Sequence, residues 1–271
     1  MKRTVFFISD GTAITTETLG HSLLTQFPGI DFHQERIPFV TDLPRAEEAV
    51  SKIRAAGEAD GVPAIVFSTL VDVGVRAVVE DSGCVLLDLF STFLDPLEDA
   101  LGVERRLVVG QAHGVPNLQR YEDRMEATNY ALTHDDGINV EYGTADLVLV
   151  GVSRSGKTPT CLYMALHFGV KAANYPLTEG DLEEMRLPPF LRRHRRKVVG
   201  LLIDPVRLAQ IREERRPGSR YASLKQCHRE TELAETLLRS EGVPVFDTTH
   251  SSIEEIASRV LLLLGLQREM F

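Results

Sequence analysis

The sequence predicts an α/β protein built from two successive domains. Short apolar runs alternate with segments of helical apolar periodicity along the 271 residues, an order typical of parallel sheets covered by helices. The alternation restarts after a turn-rich stretch at residues 134–137. A chain of this length suits one large domain or two small ones. We therefore predict an N-terminal parallel-sheet α/β domain over residues 1–143 and a second α/β domain over residues 144–271.

The first domain is predicted from short apolar runs and from amphipathic spacing. Strands are predicted at residues 4–9, 37–40, 64–68 and 84–87, and helices at residues 14–27, 45–56, 71–80, 93–101 and 117–133. Residues 64–67 of the strand predicted at 64–68 are continuously apolar, which indicates a strand buried on both faces. The spacing places Leu19, Leu23 and Phe27 on one face of the first helix. In the second helix, it directs four residues inward: Ala46, Ala49, Val50 and Ile53.

The second domain repeats the same alternation. Strands are predicted at residues 147–152, 198–203 and 243–246, and helices at residues 157–168, 206–216, 224–240 and 253–264. Four consecutive leucines, residues 261–264, end the last helix. They indicate a core contact, because the apolar stretch is too short to cross a membrane.

Composition and charge exclude several classes of protein. With 43% hydrophobic and 25% charged residues, the chain has an ordinary globular composition. Residues 1–143 hold 11 Lys and Arg against 23 Asp and Glu, a balance of −12, whereas residues 144–271 hold 19 against 16, or +3. An acidic front half argues against a nucleic-acid binder, and a locally basic rear half suits a smaller polyanion such as a nucleotide.

The compartment is predicted from cysteine use and from the absence of targeting signals. Cys84, Cys161 and Cys227 are far apart and show no metal or redox spacing. The N-terminal apolar run stops too early for a signal peptide, and no apolar stretch approaches the roughly 18 residues of a spanning helix. We expect a reduced, cytoplasmic protein without a membrane partner.

One motif in the chain carries specific chemistry. Eight residues satisfy G-x-x-x-x-G-K-[ST], the phosphate-binding loop or P-loop: Gly151, Val152, Ser153, Arg154, Ser155, Gly156, Lys157 and Thr158. Residue frequencies give roughly 0.004 chance matches in this chain. The motif predicts that backbone N–H groups surround a polyphosphate, that Lys157 contacts its terminal phosphates, and that Thr158 binds Mg²⁺. We therefore predict that residues 144–271 form a P-loop kinase-like α/β domain.

A P-loop also needs a carboxylate for its metal ion. Asp204 ends a predicted strand and is a candidate metal ligand, but an aspartate before Pro205 also caps a following helix. Asp10 lies in a second strand–turn–helix junction, where it could serve as an acid or base or act as a turn residue only. Asp135 and Asp136 lie in a predicted loop.

Two basic clusters have open interpretations. The run at residues 192–197 is a solvated loop or a site for phosphate or a partner. Four arginines near the end of a predicted helix either favour its dipole or reach a phosphorylated ligand: Arg212, Arg215, Arg216 and Arg220.

The sequence resembles the bacterial phosphoenolpyruvate synthase regulatory proteins, which are related to the pyruvate, phosphate dikinase regulatory proteins. The resemblance extends over nearly the whole chain. At the front it covers residues 7–15 and 19–21, and in the middle His113-Gly114 and residues 131–137. At the rear it covers residues 151–160, 172–176, 203–205, 211–216 and 219–224.

The resemblance implies a bifunctional serine/threonine kinase and phosphorylase. Such a protein phosphorylates a threonine of phosphoenolpyruvate synthase with ADP as the phosphoryl donor. It reverses the modification with inorganic phosphate and releases pyrophosphate. By this resemblance, residues 151–158 are the ADP site. We expect Lys157 to contribute to catalysis, Thr158 and Asp204 to hold Mg²⁺, and one of Asp10, Asp135, Asp136 or Asp204 to accept the threonine proton.

Two other functions remain compatible with the residues. One is a small-molecule P-loop kinase that uses ATP, and the other is a nucleotide-sensing adaptor that inhibits its target by binding alone. The sequence leaves a homodimer open, and it does not separate the synthase from the phosphate-dependent dikinase as the target. Overall similarity favours the synthase.

Overall fold

The protein consists of two compact α/β units, residues Met1–Val115 and Pro116–Phe271. The computed structural model describes residues 2–105 and 118–266. Each unit contains one four-stranded parallel sheet with helices, which confirms the predicted fold class. Three residues singled out in the sequence, His113, Gly114 and Asn117, lie outside the described residues.

The first unit alternates strands and helices in chain order. Its elements are β1 (Lys2–Ile8), α1 (Ile14–Leu24), β2 (Asp31–Ile37), α2 (Leu43–Asp60), β3 (Ile65–Ser68), α3 (Val73–Glu80), β4 (Val85–Asp88) and α4 (Leu89–Leu101). The strands are parallel and follow the order β2-β1-β3-β4. Helix α2 buries Ala46, Ala49, Val50 and Ile53 against the sheet, as predicted.

Helix α1 packs on a different face from the one that its leucines suggest. Its buried residues are Thr16, Gly20 and Leu24, and Leu24 joins Phe7 and Phe67 in the smaller core of this unit. Leu19, Leu23 and Phe27, which the sequence places on one face, are 36%, 44% and 59% exposed. The three apolar residues do lie on one face of the helix, but that face does not pack on the sheet. The neighbouring face does, because the small residues Thr16 and Gly20 let the helix approach the sheet more closely.

The second unit begins with a helix and then repeats the alternation. Its elements are α5 (Leu118–Thr133), β5 (Leu147–Gly151), α6 (Lys157–Phe168), β6 (Ala172–Pro176), α7 (Glu179–Glu184), α8 (Pro189–Arg193), β7 (Val198–Leu202), α9 (Pro205–Arg215), α10 (Leu224–Ser240), β8 (Val245–Asp247) and α11 (Ile253–Leu264). Short 3₁₀ turns lie at Asp135–Gly137, Tyr142–Thr144, Arg195–Lys197 and Arg220–Ala222. The parallel strands follow the order β6-β5-β7-β8.

Two strands differ from the sequence expectation. Strand β2 lies at Asp31–Ile37, whereas residues 37–40 were predicted. The prediction failed because β2 is an exposed edge strand whose polar residues give no hydrophobic pattern. Strand β6 was not predicted, since its sequence Ala-Ala-Asn-Tyr-Pro is short and rich in small residues. Both strands pair with a central strand, so their position is decided by tertiary contacts.

The division between the units precedes the predicted boundary at residues 143 and 144. Helix α5 belongs to the second unit because Ala127 and Ala131 pack into the same core as Leu147, Leu149 and Met164. This placement brings the turn that follows α5 to the sheet of the second unit, where Asn174 N–H donates to the His134 carbonyl at 3.2 Å.

Adjacent leucines in α1 test the observed packing face. We expect Leu24→Ala to lower the free energy of unfolding by about 2–3 kcal/mol, because it removes a buried side chain and leaves a cavity. Leu23→Ala should cost less than about 1 kcal/mol, because that side chain is 44% exposed. Urea denaturation of both variants measures the difference, and a larger cost at Leu23 would contradict the observed face.

Candidate nucleotide-binding site

The P-loop lies at the centre of the second sheet. Strand β5 is completely buried along Leu147–Gly151 and has β6 on one side and β7 on the other. Residues 152–156 follow at its carboxyl end, and α6 begins at Lys157. In a parallel sheet, ligands bind at this edge, where the strand order reverses. The predicted strand–loop–helix context of the motif is therefore confirmed.

The two motif glycines meet two different constraints. A Cβ on Gly151 would collide with the Leu201 carbonyl oxygen of β7, so only glycine permits this close approach. Gly156 adopts a φ of 88° in open space, a conformation that is strained for other residues. Between them, Arg154 has a φ of 75°. These backbone angles turn the loop tightly before α6 starts.

Lys157 is buried at the start of α6. The residue is 3% exposed, and its Nζ donates to the Val152 carbonyl at 2.9 Å. Burial lowers the pKa of Lys157 to about 8, and the charge of Arg212 acts in the same direction, whereas Asp136 and Asp135 oppose it. A buried ammonium without a full counter-charge is a strong site for an added anion.

Asp135 connects the P-loop to strand β6. Its Oδ1 accepts from Thr158 Oγ1 at 2.7 Å and from Asn174 Nδ2 at 2.5 Å. The Asn174 side chain is fully buried, and its Oδ1 accepts from the Asp136 N–H at 3.1 Å. One asparagine thus fixes two successive aspartates beside the P-loop. The structure brings the predicted residues Asp135, Asp136, Lys157 and Thr158 together.

Arg212 holds the opposite side of the loop. Its Nη2 donates to the Ser153 carbonyl at 3.1 Å and to Glu230 Oε2 at 2.7 Å. Its guanidinium carbon lies 4.1 Å from the centre of the Tyr221 ring, and the Tyr221 hydroxyl is 2.9 Å from Ser153 Oγ. Arg212 is fully buried, so it supports the loop from within the protein.

The other three arginines of this cluster differ from Arg212. Arg215, Arg216 and Arg220 are exposed to solvent. The four arginines are close together in the sequence, but one is a buried structural residue and three are surface residues.

Asp204 caps a helix. It lies after β7, and its Oδ1 accepts from the backbone N–H groups of Val206 and Arg207 at 2.9 Å. The residue is exposed. Of the two roles that the sequence left open, the structure shows the cap. The carboxylate that contacts the P-loop threonine is that of Asp135.

Asp10 lies in the first unit. Its Oδ2 accepts from the Val71 N–H at 3.3 Å, which joins the loop after β1 to the loop after β3. This contact joins two loops that are distant in the sequence and is not a local turn or cap contact. The acid or base role of Asp10 stays a prediction.

Ser155 has a hydroxyl that suits an anion. The residue is 1% exposed, and within the described part of the chain its Oγ is buried without a hydrogen-bond partner. A buried hydroxyl normally has a partner, and the phosphate of a nucleotide would accept a hydrogen bond from it. The P-loop residues therefore fit a polyphosphate.

The family model described as kinase/pyrophosphorylase matches residues 5–261. The chain belongs to this family. It is 56% identical over 269 residues to a protein of Stenotrophomonas maltophilia strain K279a, covering 99% of this chain and 98% of the relative. It is 52% identical, with the same coverage, to a protein of Xanthomonas campestris pv. campestris strain B100. Both relatives carry the provisional name phosphoenolpyruvate synthase regulatory protein.

The family match confirms the resemblance seen in the sequence. The kinase half of the family description agrees with the P-loop geometry. In the described residues, no helix combines the length and apolar character that crossing a bilayer requires.

Sequence reasoning missed three residues of the site. Asn174, Tyr221 and Glu230 each position a P-loop contact. Asn174 and Tyr221 lie in segments that carry the family resemblance, so that signal was available for them. Glu230 is one of several glutamates on α10 and gives no signal of its own.

Lys157→Met tests the electrostatic cost of the buried ammonium. Below pH 8 the folded protein keeps Lys157 charged in a buried position, although its ordinary pKa is 10.5. We expect the variant to raise the free energy of unfolding at pH 7 by about 1–3 kcal/mol. Between pH 8 and 10.5 the unfolded chain binds this proton and the folded chain does not, so wild-type stability gains on the variant as pH rises. Urea denaturation of wild type and variant at pH 7 and at a pH between 8 and 10.5 measures the effect. A variant that is less stable than wild type at pH 7 would contradict the prediction.

Proposed function

We propose that this protein is a bifunctional phosphotransferase that regulates phosphoenolpyruvate synthase. It transfers the β-phosphoryl group of ADP to a threonine of that enzyme. It removes the group again by attack of inorganic phosphate, which releases pyrophosphate. The observation that carries this proposal is the P-loop with its buried Lys157 beside two fixed aspartates.

The comparisons support both halves of the reaction and the target. The family description names two activities, a kinase and a pyrophosphorylase. The first transfers a phosphoryl group to an acceptor, and the second transfers a phosphoryl group to or from inorganic phosphate. The target is taken from the provisional names of relatives that are 52% and 56% identical over nearly the full chain.

The P-loop supplies charge and orientation for the diphosphate of ADP. Phosphate oxygens would be bound by the positive charge of Lys157. They would also accept hydrogen bonds from the Ser155 hydroxyl and from the first N–H groups of α6. Phosphoryl transfer requires little covalent chemistry from a protein, so positioning and charge stabilisation account for most of the catalysis. A rigid loop with buried donors meets that requirement.

We propose Mg²⁺ as the metal ion, held by Thr158 and Asp135. Mg²⁺ prefers oxygen ligands and is bound by one or two carboxylates with substrate phosphates and water. When bound, the ion would neutralise phosphate charge. Asp135 replaces Asp204 in this role because it contacts Thr158.

We propose Asp136 as the general base. Its backbone is fixed by Asn174, its residue is exposed, and it is the carboxylate that raises the pKa of Lys157 most. The Oδ1 of Asp135, in contrast, already accepts two hydrogen bonds. Asp10 and Asp204 accept backbone N–H groups instead.

The proposed forward step conserves atoms and charge. The threonine oxygen bonds to the β-phosphorus, the bond from that phosphorus to the bridging oxygen breaks, AMP leaves, and the threonine proton passes to Asp136. In reverse, a phosphate oxygen bonds to the phosphorus of phosphothreonine. The bond to the threonine oxygen breaks and pyrophosphate leaves, while the proton of the attacking hydrogen phosphate passes through Asp136 to the threonine oxygen.

A donor assay with purified synthase tests the proposed function. ADP labelled at its β-phosphate should transfer label to a threonine of the synthase, and Lys157→Met should slow the transfer at least about 100-fold. Mass spectrometry of the target locates the phosphate, and added inorganic phosphate should remove it with release of pyrophosphate. Transfer of a labelled phosphoryl group from ATP in the absence of a protein acceptor would favour a small-molecule kinase. Inhibition of the synthase without added phosphate would favour the adaptor.

Two isosteric variants test the choice of base. Asp136→Asn should lower the rate of threonine phosphorylation at least about 100-fold, because it removes the proton acceptor. It should fold normally, since asparagine tolerates the φ of 47° found there. Asp204→Asn is the matched control, because asparagine caps helices as well as aspartate, and its rate should stay within about fivefold. The opposite ranking in the same assay would assign the base to Asp204.

A further inference from the structure

A second concave site lies in the second unit, away from the P-loop. Six consecutive basic residues, Arg192, Arg193, His194, Arg195, Arg196 and Lys197, line a cavity of about 680 Å³ together with the chain before β8. We call this site the basic cleft. The sequence left its interpretation open between a solvated loop and a phosphate or partner site.

The basic cleft and the P-loop lie at opposite ends of the sheet. The basic residues come directly before β7, and Gly242 and Pro244 of the cleft come directly before β8. The P-loop follows the carboxyl end of β5, which is parallel to β7. The five residues of β7 span about 13 Å. A ligand in the basic cleft is therefore too distant to take part in chemistry at Lys157.

The two ends of the basic run are fixed by contacts within the protein. Lys197 Nζ donates to the carbonyls of Ala145 and Gly143 at 2.5 and 3.1 Å. Arg192 Nε lies 3.6 Å from Glu241 Oε2. These contacts explain two of the five Lys and Arg residues as structural, and they hold the run in place at the mouth of the cleft.

Three arginines in the middle of the run have no such role. Arg193, Arg195 and Arg196 are exposed, and in the described part of the chain none forms an ion pair with a carboxylate. The guanidinium of Arg195 lies over Gly242, in space that a Cβ on that residue would fill. Three positive charges thus converge on one cavity in a chain whose net charge is −9.

We propose that the basic cleft binds a diphosphate group, at a site separate from the P-loop. Guanidinium groups bind phosphate through paired hydrogen bonds. Three guanidinium groups carry as much positive charge as a diphosphate carries negative charge, about three units. The cavity falls within the range of about 300–1,000 Å³ typical of small-molecule sites. Pyrophosphate and nucleoside diphosphates share this chemistry.

Titration with pyrophosphate in a Lys157→Met background tests the proposal, because this background weakens diphosphate binding at the P-loop and the arginine variants then report on the basic cleft. We expect calorimetry to show one bound pyrophosphate per chain. Adding Arg193→Gln, Arg195→Gln and Arg196→Gln should weaken binding at least tenfold. The matched control removes the same charge from three exposed positions of the same unit, Arg186→Gln, Arg215→Gln and Lys225→Gln, and should change the affinity less than twofold. Thermal melting of each variant verifies the fold.

The outcomes separate the sources of the ligand. Competition by ADP would assign the basic cleft to nucleoside diphosphates, and binding of pyrophosphate without competition would assign it to pyrophosphate itself. No pyrophosphate bound in the Lys157→Met background would overturn the proposal, as would equal affinities of the two triple variants. Binding of an acidic peptide but not of pyrophosphate would also overturn it, in favour of a protein partner. These results do not depend on the donor assay, so the proposed function can fail independently.

Discussion

The burial of Lys157 is the constraint on which the P-loop site of the second unit depends. An ammonium group that is 3% exposed would be unstable in an apolar core. The Val152 carbonyl and the nearby Asp135 and Asp136 offset only part of this cost, so the pKa of Lys157 still falls to about 8. The central strand, the turn after α5 and strand β6 must all be in place for these groups to face the lysine. The fold of the unit and the charge of its site are therefore one arrangement.

The two units share one strand order. In each, the first strand lies between the second and the third, so both have a crevice where the order reverses. In the first unit, the hydroxyls of Ser9, Thr16 and Thr69 at this point bond to one another at 2.9–3.0 Å. In the second, the hydroxyl of Ser155 has no such neighbour among the described residues. The first unit also has a buried hydroxyl without a partner among the described residues, Thr12 Oγ1 in the loop after β1. The two crevices therefore differ in that internal hydrogen bonds join several hydroxyls in the first unit, and both retain a hydroxyl without a partner in the described part of the chain.

Features that depend on local sequence were predictable, and features that depend on distant contacts were not. Helices α6, α10 and α11 have the predicted bounds, because their apolar spacing and caps are local. The P-loop was found for the same reason. Asp204 was weighed as a metal ligand because it ends an apolar run, whereas the contact from Asp135 to Thr158 exists only once α5 has packed against the second sheet. Strand β2 and the buried face of α1 were missed because pairing and close packing decide them.

The position of Arg212 has a consequence for the energetics of binding. One guanidinium joins α9, the Arg220–Ala222 turn, α10 and the carbonyl of Ser153. The loop therefore loses its conformational entropy when the chain folds and not when a nucleotide arrives. Little of the attraction between protein and nucleotide is then consumed in ordering the receptor. The proposed diphosphate ligand would consequently be held by a loop that is already ordered.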